Sequence, residues 1–280
     1  MTYSIVARDS ATGELGVAVQ SQAFNTGAAV PWARPGVGAI ATQSFTDRRY
    51  GWLGLERLAA GEEPEAALGE LSAEDDEPEF RQVGLIDSRG HIAQRTGTNC
   101  VPCAGDARGE NWAAQGNMLA SERAWHEMGA AFEATDATLA RRLMAALDAA
   151  ESTGGDWRGR GGAAIVVVPA SGEPWERVID LRVEEGDDSL RELRRLLERA
   201  EGYRAANRAV GNRAKLARGA GLPDAHVRWL AFIDAAERGE PEEARRLLRE
   251  LEAEQPRLRD LAVAMSRHPD LPSLDEILTE

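Results

Sequence analysis

The chain has 280 residues, with 33 Lys and Arg against 47 Asp and Glu, so its formal net charge is −14. This excess of negative charge argues against nucleic acid or an anionic membrane surface as the main partner, because phosphate groups are bound mostly through clustered positive charge. With 43% hydrophobic and 29% charged residues, the composition is typical of a folded globular protein and excludes global disorder.

The first two thirds of the chain predict strands that arrive in hairpins, separated by pairs of helices. The order ββ, β, αα, ββ, β, αα, ββ, α favours an α+β fold with two antiparallel sheets and helices on their outer faces. The predicted strands are 3–9, 15–21, 37–44, 80–87, 91–96, 111–115, 163–169 and 177–183, and the predicted helices are 50–60, 64–71, 121–133, 137–151 and 187–202.

From Tyr203 onwards the pattern is helical only, and it is rich in Ala, Arg, Leu and Glu. Residues 223–256 have the spacing of one tetratricopeptide-type helical hairpin, with Gly239 at the turn and Pro256 at the end. We therefore predict two domains, 1–202 and 203–280, the second of them small and all-α.

No run of apolar residues approaches the length of a membrane helix, and the first residues lack the features of a secretion signal. A cytoplasmic location is therefore predicted, without membrane partners. Cys100 and Cys103 have the C-x-x-C spacing of a redox dithiol or half a zinc site, but no second pair exists to complete four ligands. Two partly buried loop cysteines are the favoured interpretation, and we predict neither a metal nor a cofactor.

Thr2 is the residue that most strongly indicates chemistry. Methionine is normally removed before a small second residue, which would leave an α-amine and a hydroxyl on one residue. Nucleophile and general base then belong to the same residue, as in N-terminal-nucleophile (Ntn) hydrolases. The alternative is that a threonine simply begins a strand. Lys215 is the only lysine, so the α-amine is the base that this chemistry would use.

Three amide side chains, Gln43, Gln115 and Asn117, are suited to donate hydrogen bonds to a tetrahedral oxyanion. Arginine binds carboxylates in bidentate fashion, so two arginine-containing loops favour an amide or short-peptide substrate that bears a carboxylate. The alternative for any one arginine is a surface ion pair. The predicted substrate-binding residues are Thr42, Ser44, Asp47, Arg48, Arg49, Asp156, Arg158 and Arg160.

Four stretches of the chain together resemble a known family. They are TYSIVARDSATGELGVAVQSQAF, VPWARPGVGAIATQSFTDRRYG, AAQGNML and GGDWRGRGGAAIVV. They are similar to the bacterial and archaeal family called domain of unknown function 1028, over roughly residues 1–200. The resemblance implies the αββα four-layer sandwich of the Ntn hydrolases, hydrolysis of an amide bond and Thr2 as nucleophile, but no substrate. The sequence departs from it at Gly161-Gly162, where a Gln-Ser pair is expected.

The C-terminal segment resembles a helical module that often follows this domain and is described as peptidoglycan-binding. This suggests an alternative function, a non-catalytic binding or scaffold protein that acts through its C-terminal helices on a protein or cell-wall partner. A homo-oligomer is compatible with either function.

Overall fold

The computed structural model describes residues 2–267 and 274–278. Met1, whose removal is part of the prediction above, lies outside the described residues. The chain forms two compact units, residues 1–197 and 198–280.

The first unit contains ten strands and the helices that accompany them. The strands are β1 (Thr2–Arg8), β2 (Leu15–Ser21), β3 (Pro31–Arg34), β4 (Gly38–Ser44), β5 (Arg81–Asp87), β6 (Ile92–Thr96), β7 (Gly105–Gly109), β8 (Trp112–Asn117), β9 (Gly162–Val168) and β10 (Ile179–Val183). The helices are α1 (Arg49–Ala59), α2 (Pro64–Ala73), α3 (Ala124–Ala134), α4 (Leu139–Ser152) and α5 (Ser189–Arg208), and α5 crosses the boundary between the units in the sequence.

The strands form two antiparallel sheets. One has six strands in the order β10-β9-β2-β1-β8-β7, and the other has four in the order β3-β4-β5-β6. The two sheets pack on each other, while α3 and α4 contact the six-stranded sheet and α1 and α2 contact the four-stranded one. The predicted α+β class with antiparallel sheets is confirmed.

Two strands lie where the sequence pattern predicts only loops. The prolines predict a loop at Pro31–Arg34, but this segment forms β3 at a sheet edge, where the missing N–H of proline weakens no ladder. The pattern also predicts a loop at Gly105–Gly109, yet this segment pairs with β8 through a two-residue turn whose Asn111 has φ 64°. Both are short edge strands, and neither carries the apolar alternation by which a strand is recognised.

The space between the sheets is filled by small and β-branched side chains. Val6, Val17 and Val166 of the larger sheet pack in one cluster with Ala39 and Ile86 of the smaller one, and all are buried. Burying each valine or isoleucine side chain stabilises the fold by about 1.5–3 kcal/mol. The sheets are therefore held at a fixed separation, which positions the polar residues at one end of the same interior.

The second unit is helical throughout the described residues. Its helices are α6 (Arg213–Gly219), α7 (Asp224–Glu237), α8 (Pro241–Glu254), α9 (Leu258–Met265) and α10 (Asp275–Leu278). The chain turns between α7 and α8 at Gly239, whose φ of 69° favours glycine. The two helices pack together, so the predicted helical hairpin is present. Its classification as a tetratricopeptide unit and its role in binding a protein or cell-wall partner stay predictions.

A buried carboxylate organises the start of this unit. Asp234 of α7 accepts hydrogen bonds from the backbone N–H groups of Arg213 and Ala214, at 2.9 and 2.8 Å. These are the first two residues of α6, whose N–H groups have no partner within the helix. Among the described residues, no helix combines the length and the apolar composition needed to cross a membrane.

Candidate functional site

The face of β1 that points between the sheets changes from apolar to polar towards its first residue. Since side chains alternate along a strand, Thr2 and Ser4 share this face with Val6 of the core. In the neighbouring β8, Asn117 lies opposite Thr2 and Gln115 lies opposite Ser4. All four polar residues are buried, and Thr2 is the most accessible of them at 7% exposure.

The facing sheet contributes two further buried amides, Gln43 of β4 and Gln82 of β5, which are paired across their strands. Gln43 Nε2 donates to the Thr2 carbonyl oxygen at 3.1 Å and to Gln82 Oε1 at 2.8 Å. Gln43 Oε1 accepts a hydrogen bond from the Ser4 hydroxyl at 2.6 Å. Gln43 therefore links the two sheets and fixes the backbone of Thr2.

Gln82 is the centre of this network, although no sequence pattern marks it as a site residue. Its Oε1 accepts from Gln43 and from Asn117 Nδ2, the latter at 2.9 Å. Its Nε2 donates to the carbonyl oxygens of Gly116 and Gly105, at 2.8 and 3.1 Å, and lies 3.1 Å from the Thr96 hydroxyl. A glutamine directly before the apolar run of β5 was the available signal.

The Thr2 hydroxyl lies next to a second hydroxyl, that of Ser21, which was not among the predicted site residues. Thr2 Oγ1 is 3.1 Å from Ser21 Oγ, which in turn accepts the backbone N–H of Ala23 at 3.1 Å. The register of the β1–β2 hairpin predicts this neighbour. Tyr3 pairs with Gln20, so the next pair towards the open end of the hairpin is Thr2 and Ser21.

The three amides predicted to stabilise an oxyanion differ in how many of their hydrogens are already engaged. A primary amide has two hydrogens to donate. Both are engaged in Gln43, and Gln115 Nε2 donates to the Ser4 hydroxyl at 3.3 Å and to the Ala41 carbonyl at 3.2 Å. Asn117 has one such bond among the described residues, to Gln82. Asn117 is thus the amide with a hydrogen left for a ligand.

The residues predicted to bind substrate at the end of β4 and in the loop after it are only partly available to a ligand near this network. Thr42 lies on the opposite face of β4 from Gln43, and its hydroxyl donates to the Asp47 carbonyl oxygen at 3.1 Å. Arg49 is engaged by the Asp47 carboxylate, with a hydrogen bond of 2.8 Å. The Arg48 guanidinium is exposed and makes no hydrogen bond or ion pair with the described residues, so it remains available to a carboxylate.

The second predicted substrate loop, around Asp156, is held by internal contacts. The buried Asp156 carboxylate accepts the backbone N–H of Gln22 at 3.0 Å and that of Arg158 at 2.8 Å, which ties the loop to the chain after Ser21. The Arg160 guanidinium forms ion pairs with Glu151 and Asp188. These residues shape the loop, and Arg160 is not joined to the network around Thr2.

Gly161, the first residue of the departure from the family pattern, has no space for a side chain. A Cβ at this position would lie 2.4 Å from the Gln22 carbonyl oxygen, closer than any real Cβ contact. The loop after Asp156 can therefore lie against residue 22 because glycine stands there.

Two non-glycine residues with left-handed backbone conformation border the network. Ser44 has φ 70° and directly follows Gln43, and Met118 has φ 55° and directly follows Asn117. Such conformations cost free energy and tend to persist at functional sites, where the surrounding structure imposes them. Their position at the strand ends next to Thr2 is consistent with a site there.

Tyr3 follows Thr2 but points to the other face of the sheet, and its hydroxyl donates to Glu151 Oε2 at 2.9 Å. Burial, reinforced by the Glu151 carboxylate, raises the pKa of Tyr3 well above its ordinary value. Tyr3 is therefore neutral at any physiological pH and cannot serve as the base.

The remaining chemistry-bearing residues lie elsewhere. Cys100 is buried with its thiol 3.4 Å from the Arg81 carbonyl oxygen, and burial raises the pKa of Cys103, which disfavours a reactive thiolate.

Glu63, Asp87 and His91 place potential metal-ligating atoms within 4.8 Å of one another. However, the Arg89 guanidinium contacts both carboxylates, at 2.9 and 2.8 Å, so they already belong to an ion-pair network.

A buried ion pair supports the rim of the site from the helix side. Asp75 is buried, and Arg81 Nε donates to its Oδ2 at 2.8 Å, while the Tyr50 hydroxyl donates to the same oxygen at 3.0 Å. Arg81 is paired with Ser44 across the strands and also donates to the Phe45 carbonyl oxygen at 2.9 Å. The pair therefore connects α1 and the segment after α2 to the strand ends that border Thr2.

We expect Asp75→Asn to lower the free energy of unfolding at pH 7 by about 2 kcal/mol. The hydrogen bond from Arg81 holds the pKa of Asp75 at about 2, below its ordinary 3.8. This stabilisation is complete above about pH 4 and is lost as the pH falls through about 2. Urea unfolding from pH 2 to 7 would measure it, with the exposed Glu77→Gln as control. Equal losses in both variants, or a loss independent of pH, would contradict the assignment.

Comparison with known proteins shows to which family the chain is related. The model of a family of unknown function, DUF1028, matches residues 2–193. The chain belongs to this family. A crystal structure of another DUF1028 protein, SPO2555 from Silicibacter pomeroyi, is 30% identical, with a TM-score of 0.65. The match covers 71% of this chain and 88% of that one. The DUF1028 match thus spans the strands and helices that carry the Thr2 network.

Anbu, the ancestral beta-subunit, from Yersinia bercovieri is 14% identical, with a TM-score of 0.37, covering 72% of this chain and 95% of that one. This likeness is too slight to support an argument about fold or activity. No curated protein matches the chain.

Proposed function

We propose that this DUF1028 protein is an Ntn amidohydrolase with Thr2 as its nucleophile, on a four-layer αββα sandwich. One observation carries the proposal: Thr2 begins β1, a central strand of the larger sheet, with its hydroxyl in a buried polar network between the two sheets. A hydroxyl held in this way has a defined direction of attack, as a nucleophile requires. The proposal also requires that Met1 is removed, so that Thr2 carries a free α-amine.

The chemistry follows from these groups. Thr2 Oγ1 attacks the carbonyl carbon of the amide while its proton passes to the Thr2 amine, and the oxyanion accepts a hydrogen bond from Asn117 Nδ2. The tetrahedral adduct then expels the amine of the substrate, which takes that proton, and leaves an ester on Thr2. Water, deprotonated by the same α-amine, hydrolyses the ester and restores the hydroxyl. Gln43 and Gln82 act as positioning residues that hold Thr2 and Asn117.

The substrate is proposed to be a small amide or short peptide with a carboxylate and an apolar group. Arg48, next to the end of β4, offers a guanidinium without an internal partner among the described residues. Phe24, Phe45 and Trp157 are exposed, and each lies within three residues of Ser21, Gln43 or Asp156. Exposed aromatic side chains at a cleft supply apolar contact area to a ligand.

The first experiment is intact-mass analysis and N-terminal sequencing of the expressed full chain. We expect the mass of the chain without Met1 and a sequence that begins at Thr2. Quantitative retention of Met1 would leave the amine acylated and unable to act as a base, and it would overturn the proposal.

A further inference from the structure

A separate cavity of about 520 Å³ opens in the first unit, on the side where β3 ends the smaller sheet and β10 ends the larger one. It is lined by residues of β3, α1, β9 and β10, together with the connection between β9 and β10. The volume lies within the range of small-molecule sites. Along β4 the Thr2 network reaches Gln43. The β3 residues that line the cavity lie opposite Ala41 to Gly38, so they begin roughly 7 Å from Gln43 and extend to roughly 16 Å, at 3.3 Å per residue.

Two tryptophans provide the apolar surface of the cavity. The Trp32 indole N–H donates to the Ala29 carbonyl oxygen at 3.1 Å, so the ring is presented without an unsatisfied donor. Its position depends on Gly51 of α1, where a Cβ would lie 2.3 Å from the ring. Trp52, the next residue, also lines the cavity and is 61% exposed. A ligand with a flat or aliphatic body would cover this surface.

The charge of the lining is positive although the chain as a whole is at −14. Arg34 is neutralised by Glu56 at 3.0 Å, and Arg182 by Asp180 at 2.8 Å. Arg177 instead donates to the carbonyl oxygens of residues 174 and 176, at 2.9 and 2.8 Å, and its ion-pair distance to Asp180 is 4.0 Å. Its charge is therefore the least compensated of the three.

We propose that this cavity binds a small amphipathic anion, in which a carboxylate or phosphate meets Arg177 and an apolar ring or chain lies against Trp32 and Trp52. A planar guanidinium matches both anionic groups, and the indole rings favour a desolvated apolar body. The site is independent of Thr2, so it would serve as a second ligand site on the same unit.

The test is a ligand-observed NMR titration of the full chain with 2-naphthoate and 2-naphthyl phosphate, and with uncharged 2-naphthylmethanol as the matched probe. We expect saturable binding of at least one anion, with a dissociation constant on the order of 1 mM from about 0.3 kcal/mol per non-hydrogen atom. The alcohol should bind at least fivefold more weakly. The stronger anion identifies the preferred group.

The variants Arg177→Gln and Trp52→Ala should each weaken anion binding at least fivefold, and both residues are accessible enough that folding is preserved. Arg123→Gln, at the exposed residue before α3, is the matched control for the arginine, with binding unchanged. Thr2→Ala should also leave binding unchanged, which separates this site from the proposed hydrolase site. Absence of saturable binding, equal binding of the alcohol, or binding that survives both cavity variants would overturn the proposal. So would a dimer that Trp52→Ala dissociates, because the cavity would then belong to an interface between copies.

Discussion

Thr2→Ala is expected to reduce covalent capture of the protein by a small α′,β′-epoxyketone by at least about 10³-fold, because removal of a catalytic nucleophile costs this much or more. The reagent reports on both groups of the proposed mechanism. The Thr2 hydroxyl adds to the ketone and the α-amine opens the epoxide, so the adduct gains the full mass of the reagent. Alanine at position 2 is small and should leave methionine removal unchanged, so the variant loses the hydroxyl and the γ-methyl group but keeps the α-amine. Intact-mass spectrometry against time gives the rate.

Two controls make this result specific. Thr12→Ala removes a hydroxyl from the exposed turn between β1 and β2 and should leave the rate unchanged. Thr2→Ser keeps both the hydroxyl and the amine and should retain capture. Unchanged capture in Thr2→Ala would place the nucleophile elsewhere, even if Met1 is removed.

The sequence predicted the parts of this site that depend on local geometry. The β1–β2 hairpin has a short turn, so its register is set within a few residues, and its strand bounds are close to those observed. Thr2 could therefore be placed at a strand end from the sequence alone. The same reasoning extends to Ser21, which requires only that the register be carried one pair further.

The parts that depend on distant pairing could not be predicted. Gln82 lies beside Gln43 because β4 and β5 pair across an intervening helical segment, and no short turn fixes that register. Thr2 and Asn117 meet for the same reason. Which amide hydrogens are already engaged is decided by these non-local contacts. Gln43, Gln115 and Asn117 therefore look equivalent in the sequence and differ in the structure.

The arginine loops show a similar difference between composition and geometry. The sequence predicts arginines near the site, but whether each one is available to a substrate depends on its ion pairs. Arg49 is engaged by Asp47, Arg158 by Asp156, and Arg160 by Glu151 and Asp188. Arg48 is left as the candidate for a substrate carboxylate, which narrows the prediction to one guanidinium.

Gln82→Met is expected to lower the free energy of unfolding by roughly 3–5 kcal/mol and to slow epoxyketone capture. Methionine has a similar volume but removes the donor that Gln82 supplies to the Gly105 and Gly116 carbonyls and the acceptor that it supplies to the Gln43 and Asn117 amides. Each buried polar group deprived of its partner costs about 1–3 kcal/mol, offset partly by relaxation. For a unit of this size the loss corresponds to a fall in Tm of roughly 10 °C, measurable by calorimetry.

The neighbouring strand supplies a matched control, Gln94→Met. Gln94 Nε2 donates to two carbonyl oxygens, at 3.0 and 3.4 Å, but its Oε1 is buried without a partner among the described residues. Its replacement removes one unsatisfied acceptor along with two hydrogen bonds, so the loss of stability should be much smaller and capture should be unaffected. Gln82→Glu keeps an acceptor oxygen but places a buried carboxyl group against the Gly105 and Gly116 carbonyl oxygens, so it should be at least as destabilising as Gln82→Met. If Gln82→Met and Gln94→Met lost the same stability and were captured by the epoxyketone at the same rate, Gln82 would have no special role in positioning Thr2. A larger loss of stability and slower capture in both Gln82 variants than in Gln94→Met would instead identify Gln82 as the residue through which the two sheets hold Thr2 and Asn117 in place.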